Sequence, residues 1–220
     1  MNPSTITAEQ QAAVAATLAN MPTIPSGVGS KESACSIAAI NLALSGKLTD
    51  EIPDCMSLVI GKWIIKIQDS APAELRNSKY WRHLLPLAAG PGRDREAERS
   101  NVAIEWMWSV VLPQVQPLAD GHGFGEKWHY MCSLRTADAA RSARSAAYAA
   151  NAASASNAAS AAASAAYTSN AACAANANAA AYAANAAIFA AAAADADFWS
   201  SVDPCGCLER MINLPEGDRK

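Results

Sequence analysis

Between residues 145 and 194 the sequence has no charged side chain, and between 126 and 203 it has neither glycine nor proline. The first absence removes the charges that keep a surface helix solvated and apart from its neighbours. The second removes the two residue types that most readily stop a helix. Basic clusters are missing as well. The chain has 17 Lys and Arg against 20 Asp and Glu, a net charge of −3. Arg93, Arg135, Arg141 and Arg144 are scattered rather than gathered into a stripe. A nucleic-acid-binding face needs such a stripe to neutralise phosphates, so nucleic acid is excluded as the expected partner. The opening MNPSTITAEQQAAVAATLANMP has no basic start and no run of large apolar residues, and so does not read as a secretory signal. The alanine-rich stretch is interrupted every few residues by Ser or Asn and does not read as a membrane span. A soluble, cytoplasmic protein is expected. HExxH, GxSxG, P-loop and paired CxxC motifs are all lacking, so neither an enzyme nor a cofactor is expected.

What is present is divided unevenly. Five of the six tryptophans, Trp63, Trp81, Trp106, Trp108 and Trp128, precede residue 130, whereas alanine makes up 36 of the 60 residues from 137 to 196. Large side chains build cores, which assigns the core to residues 1–130, an alanine-rich repeat to 131–198 and a short helix and tail to 199–220. Apolar spacing predicts helices over 9–19, 30–45 and 54–71, the last with Asp54 as its N-cap, and over 79–89, with Ser78 as cap and Pro86 shortening or kinking it. Residues 93–112 are apolar nearly all round toward their end and predict a central buried helix. Asp203-Pro204 predicts the start of a last helix carrying Leu208, Met211 and Ile212. No stretch alternates with period two. The expected fold class is all-α: a compact Trp-rich helical core, then a long alanine-rich helix or helical hairpin, then a short C-terminal helix.

One motif is written three times in the repeat: AAYAANAAS from Ala146, AAYTSNAAC from Ala165 and AAYAANAAI from Ala180. The offsets of 19 and 15 residues are close to whole helical turns and keep the tyrosines on one side of a helix. Each Asn follows its Tyr by three and shares its face. Tyr148, Asn151, Tyr167, Asn170, Tyr182 and Asn185 are therefore the candidate interface residues. Alanine and serine let helix backbones approach at the short end of the usual ~8–10 Å spacing. With no charge to solvate it, the segment is expected to pack against itself, the core or a second chain. Two arrangements fit the pattern: one continuous helix, which from 126 to 203 would reach about 117 Å at 1.5 Å per residue, or a hairpin turning at Thr168-Ser169-Asn170.

Candidates for chemistry are few. His129 and Cys132 lie one helical turn apart, and a hairpin would return Cys205 and Cys207 to their neighbourhood, giving four metal ligands of the zinc type. The C-x-C spacing is not the usual one, and ordinary core thiols are the competing reading of these and of Cys35, Cys55 and Cys173. Glu105 stands in an apolar stretch, where either a raised pKa or an edge-facing position is open. The pair Gly27 and Gly29 precedes a helix and reads as a phosphate-facing loop or a plain turn.

Several segments carry a resemblance: ACSIAAINLALSGKLTDEIPDCMSLVIGKWIIKIQDSAP from Ala34, YWRHLLPLAAGPGRDREAER from Tyr80, IEWMWSVVLPQVQPLADGHGF from Ile104 and FWSSVDPCGCLERMINL from Phe198. With the intervening repeat they resemble a group of uncharacterised alanine-rich helical proteins of bacterial and phage genomes. In style they are also similar to the alanine-rich immunity proteins of bacterial toxin systems. In that group Asp and Arg punctuate the alanines, whereas Asn and Ser do so here. The expected function is a non-enzymatic helical interaction or scaffold protein, with a protein partner or self-association through the repeat. The resemblance implies an alternative, a mobile-element immunity or anti-defence factor that binds a target protein. Ice binding and a zinc-dependent activity are the remaining alternatives.

Overall fold

The computed structural model describes residues 6–169, 177–194 and 197–215. The described residues are 72 % helical and include no strand, so the fold is all-α. In chain order the helices are α1 (Ala8–Asn20), α2 (Ser36–Ser45), α3 (Leu58–Ser70), α4 (Ala73–Arg76), α5 (Lys79–Ala88) and α6 (Glu96–Trp106). A π-helical turn (Met107–Val111) and a 3-10 turn (Leu112–Val115) follow. Then come α7 (Gln116–Gly121), α8 (Gly125–Leu134), α9 (Ala137–Ala149), α10 (Ala153–Thr168), α11 (Ala177–Ala193), α12 (Phe198–Val202) and α13 (Pro204–Ile212). Among the described residues no helix is long and apolar enough to cross a membrane.

The chain divides into two compact units, Met1–Arg99 with Cys205–Lys220, and Ser100–Pro204. These boundaries differ from the expected divisions at 130 and 198. In the second unit α11 packs on the π-helical and 3-10 turns, so the alanine helices and the later tryptophans fold as one body.

Local signals set most helix ends in the first unit. Thr7 and Gln10 form a reciprocal capping box on α1, and Ser78 accepts from the Trp81 N–H at the start of α5. Gly46 closes α2 in the left-handed region at φ 72°. Two starts lie later than the spacing predicts. α2 begins at Ser36 because Ser30 and Ser33 exchange backbone hydrogen bonds and Gly29 bridges Ala34. A Cβ on Gly29 would lie 2.2 Å from the Ser33 carbonyl oxygen, so this turn requires glycine. The Gly27 and Gly29 loop is thus a structural turn. The N-cap of α3 is Ser57 rather than Asp54, its side chain accepting from the Ile60 N–H.

The core of this unit is built on Trp63 and Trp81, stacked with ring centroids 6.3 Å apart among buried Ile37, Ile40, Ile60 and Leu84. Several of its buried polar groups pair with one another. Gln68 accepts from the Ser36 N–H at 2.6 Å and donates to the Pro25 carbonyl at 3.2 Å, while Ser36 Oγ accepts from the Trp81 indole at 3.1 Å. The buried Arg99 guanidinium donates to the carbonyls of Pro91, Gly92 and Met211.

In the second unit the predicted central helix changes pitch. α6 gives way at Met107 to the π-helical and 3-10 turns. Pro113 is the physical reason: it has no N–H to offer the carbonyl four residues back, and its ring clashes there. Trp106 donates to the Val202 carbonyl at 2.6 Å and Trp128 to the Leu112 carbonyl at 2.8 Å, so both buried indoles are satisfied.

The span 126–203 is not one helix. It is broken at three residues with positive φ: Arg135 (56°), Asn151 (51°) and Asp203 (42°), and these are the non-glycine residues of that kind among those described. All three fall in the segment that has no glycine. Each stands directly after a helix or one residue beyond its cap, where a left-handed residue frees the chain to turn. Asn and Asp adopt this conformation more readily than other non-glycine residues. Arg135 is held there by its ion pair to Glu105 at 2.8 Å and a hydrogen bond to Ser109 at 2.9 Å.

Candidate interaction surface

α10 packs between α9 and α11. Its neighbour α11 runs antiparallel to it. Asn157, near the start of α10, donates to the Ala192 carbonyl near the end of α11, while Tyr167 at the end of α10 meets Tyr182 near the start of α11. The contact faces are alanine. Ala155, Ala158, Ala159, Ala162, Ala165 and, across from them, Ala179, Ala183 and Ala187 are fully buried. Side chains this small allow the close backbone approach that the sequence predicts. The packing is intramolecular, and the arrangement is a stack of short helices rather than a single rod.

The three motif copies meet three different fates. In the first, α9 ends and Asn151 takes the left-handed conformation, with Tyr148 half exposed and Arg144 over its ring at 5.4 Å. In the second, α10 ends at Thr168, with Tyr167 half exposed; Asn170 lies outside the described residues. In the third, Tyr182 and Asn185 stay within α11 and are part-buried. Thr168 and Ser169 therefore do close a helix, as the hairpin reading expects. Tyr148 and Asn151 line a hollow of about 270 Å³ at the α9–α10 turn, with Ala152, Ala153 and Ser156. Tyr167 and Tyr182 mark the other end of α10. From residue 145 to 194 the exposed side chains described are alanine, serine, asparagine and tyrosine, while the start of α9 exposes Asp138, Arg141 and Arg144.

The proposed metal ligands are not gathered. His129 is exposed and Cys132 part-buried on α8 in the second unit, while Cys205 and Cys207 are buried in the first. Among the described residues no three His, Cys, Asp or Glu side chains come together as a metal site. Burial raises the thiol pKa of Cys35 and Cys55, and pushes that of Cys132 up to about 11. Such thiols are poor nucleophiles near neutral pH. Glu105 faces the edge: it is exposed and paired with Arg135. The tyrosine pairing was out of reach of sequence reasoning, because the 15-residue offset fits one continuous helix as well as two that fold back. No protein-family model matches the chain, and no curated protein or solved structure is significantly similar to it.

Proposed function

We propose that this chain is a non-enzymatic helical interaction protein that self-associates through the outer surface of its alanine-rich stack, over the charge-free residues 145–194. The carrying observation is that surface itself. Residues 145–194 contribute no charge, yet Tyr148 and Tyr167 stand 50 % and 55 % exposed on it. Interface centres are depleted in charge and enriched in tyrosine, which offers a large contact area for few rotatable bonds. A second copy is the favoured occupant on charge grounds. The chain carries a net −3, so two copies repel elsewhere, whereas residues 145–194 add no negative charge and the Arg144 guanidinium over the Tyr148 ring is of the opposite sign. A cytoplasmic setting belongs to the same reading, supported by the free thiols of Cys35, Cys55 and Cys132.

Sedimentation velocity over a range of protein concentrations tests the proposal. Concentration-dependent association is expected, and Tyr148→Asp together with Tyr167→Asp is expected to return the chain to monomer with its helical circular dichroism retained. A wild-type chain that stays monomeric at the highest concentration, or association untouched by the two substitutions, overturns it.

A further inference from the structure

α1 and α5 pack antiparallel: Leu18 and Met21, at the end of α1, offer their carbonyls to Arg82 near the start of α5, while Ile6 lies against Gly90 at the other end. Between the two helices runs an open groove of about 560 Å³, within the size range of small-molecule sites. One wall carries Ala8, Ala12, Ala15 and Ala19, spaced four, three and four residues apart, so their methyls form one exposed row about 16 Å long at 1.5 Å per residue. The floor includes Leu18 and Pro86, both buried. The groove has a direction. At the Ala8 end the facing wall is Leu87 and Pro86, and Gln11, beside the alanine row on α1, is the uncharged polar side chain there. At the Ala19 end it carries Lys79, Arg82 and His83, and no carboxylate lines any part of it. Arg82 spends its guanidinium on the carbonyls of Leu18, Met21 and Pro22 and on Asn77, so its charge stays while its donors are engaged. Lys79 and His83 are exposed and form no ion pair among the described residues. The positive end of the α5 dipole lies at the same place, since Lys79 is its first residue.

From this juxtaposition we propose that the α1–α5 groove binds a free medium-chain aliphatic carboxylate, its tail along the alanine row toward Leu87 and its carboxylate between Lys79 and His83. Charge complementarity selects the head group, and the apolar far end selects the tail. An acidic partner helix would distribute its charge along the groove, whereas the cations here stand at one end. The site belongs to the first unit and is independent of the tyrosine surface proposed above for self-association.

Isothermal titration of the full chain with dodecanoate below its micellar concentration is the test, with dodecanol and with vesicles of an anionic phospholipid as parallel probes. Saturable binding of dodecanoate is expected, with dodecanol weaker by about tenfold or more. Ala12→Trp fills the groove from an exposed helical position and is expected to abolish binding. Lys79→Glu reverses the head-group charge and is expected to weaken binding by about tenfold or more. An acidic residue in the first turn favours the helix, so a loss in Lys79→Glu does not come from unfolding. Thermal melts of both variants accompany the titrations, and Ala15→Phe replaces Ala12→Trp should that variant melt early. No dodecanoate binding, equal affinity for dodecanol, binding unaffected by the groove-filling variant, or binding to vesicles alone each overturns the proposal.

Discussion

Tyr167 stacks on Tyr182, with ring centroids 5.3 Å apart and planes inclined by 19°. The two residues occupy the same place in the second and third copies of one motif, so the repeat meets itself across the α10–α11 pair. At the opposite end of the same pair the Asn157 amide donates to the Ala192 carbonyl at 3.1 Å. Between these two contacts the interface is alanine, which supplies close approach and little apolar area. The larger ring contact therefore carries a disproportionate share of the local specificity.

A double-mutant cycle on Tyr167→Ala and Tyr182→Ala is expected to show a coupling of about 0.5–1.5 kcal/mol, the usual worth of an aromatic pair beyond its area burial. Urea denaturation of the four proteins measures it. Additive losses would show that the stacking has no energetic weight.

Alanine itself is the size limit inside the stack. Ala162 is fully buried on α10, so Ala162→Leu is expected to cost about 1–3 kcal/mol through overpacking. Ala192→Leu, at an exposed position of α11, is expected to stay within about 0.5 kcal/mol of the parent. Thermal unfolding of the pair distinguishes a packed stack from a loose one.

Asn151 holds φ 51° immediately beyond α9. Asn151→Gly is expected to be neutral or to stabilise by a few tenths of a kcal/mol, whereas Asn151→Ala is expected to cost about 1 kcal/mol from the left-handed strain. Equal melting temperatures for the two variants would mean that the α9–α10 break is not held at this residue.

The Gln68 amide satisfies the first N–H of α2 and the Pro25 carbonyl from within the core. Gln68→Leu leaves the buried Ser36 N–H and the part-buried Pro25 carbonyl without this partner, with an expected loss of about 1–3 kcal/mol. Chemical denaturation, with the m-value checked for constancy, measures it.

Cys132 supplies a pH dependence of known sign. Its folded thiol pKa is raised to about 11 from 9.0 because burial disfavours the thiolate. Below 9.0 both states hold the proton and the contribution is fully present; as pH rises toward about 11 the unfolded chain gives up the proton and the folded one does not. Stability therefore falls through that window. Melting curves from pH 8 to 10.5 are expected to decline less steeply in Cys132→Ala than in the parent, and parallel slopes would contradict the assignment.

The all-α class, the N-cap at Ser78, the stop at Gly46, the helix opened by Pro204 and the burial of the tryptophans were legible in the residues. Each rests on a local signal: a side-chain oxygen beside free N–H groups, a residue free to adopt positive φ, a ring that tolerates only a first helical turn, or sheer apolar size. Where several local signals competed, the choice was tertiary. Asp54 and Ser57 are both good caps, and Ser57 prevails with the Glu96 carboxylate accepting from the Val59 N–H beside it. The alanine segment shows the limit most clearly. Alanine is the best helix former at every position, so local propensity favours one unbroken helix and cannot say where to stop. The breaks at Arg135, Asn151 and beyond Thr168 each cost backbone strain or lost helical hydrogen bonds. That cost is met only when the resulting helices bury their alanine faces on one another and on the turns around Met107 and Val115. Composition alone determined that these residues would be helical and uncharged; packing between segments distant in the chain decided how many helices they form and which tyrosines meet.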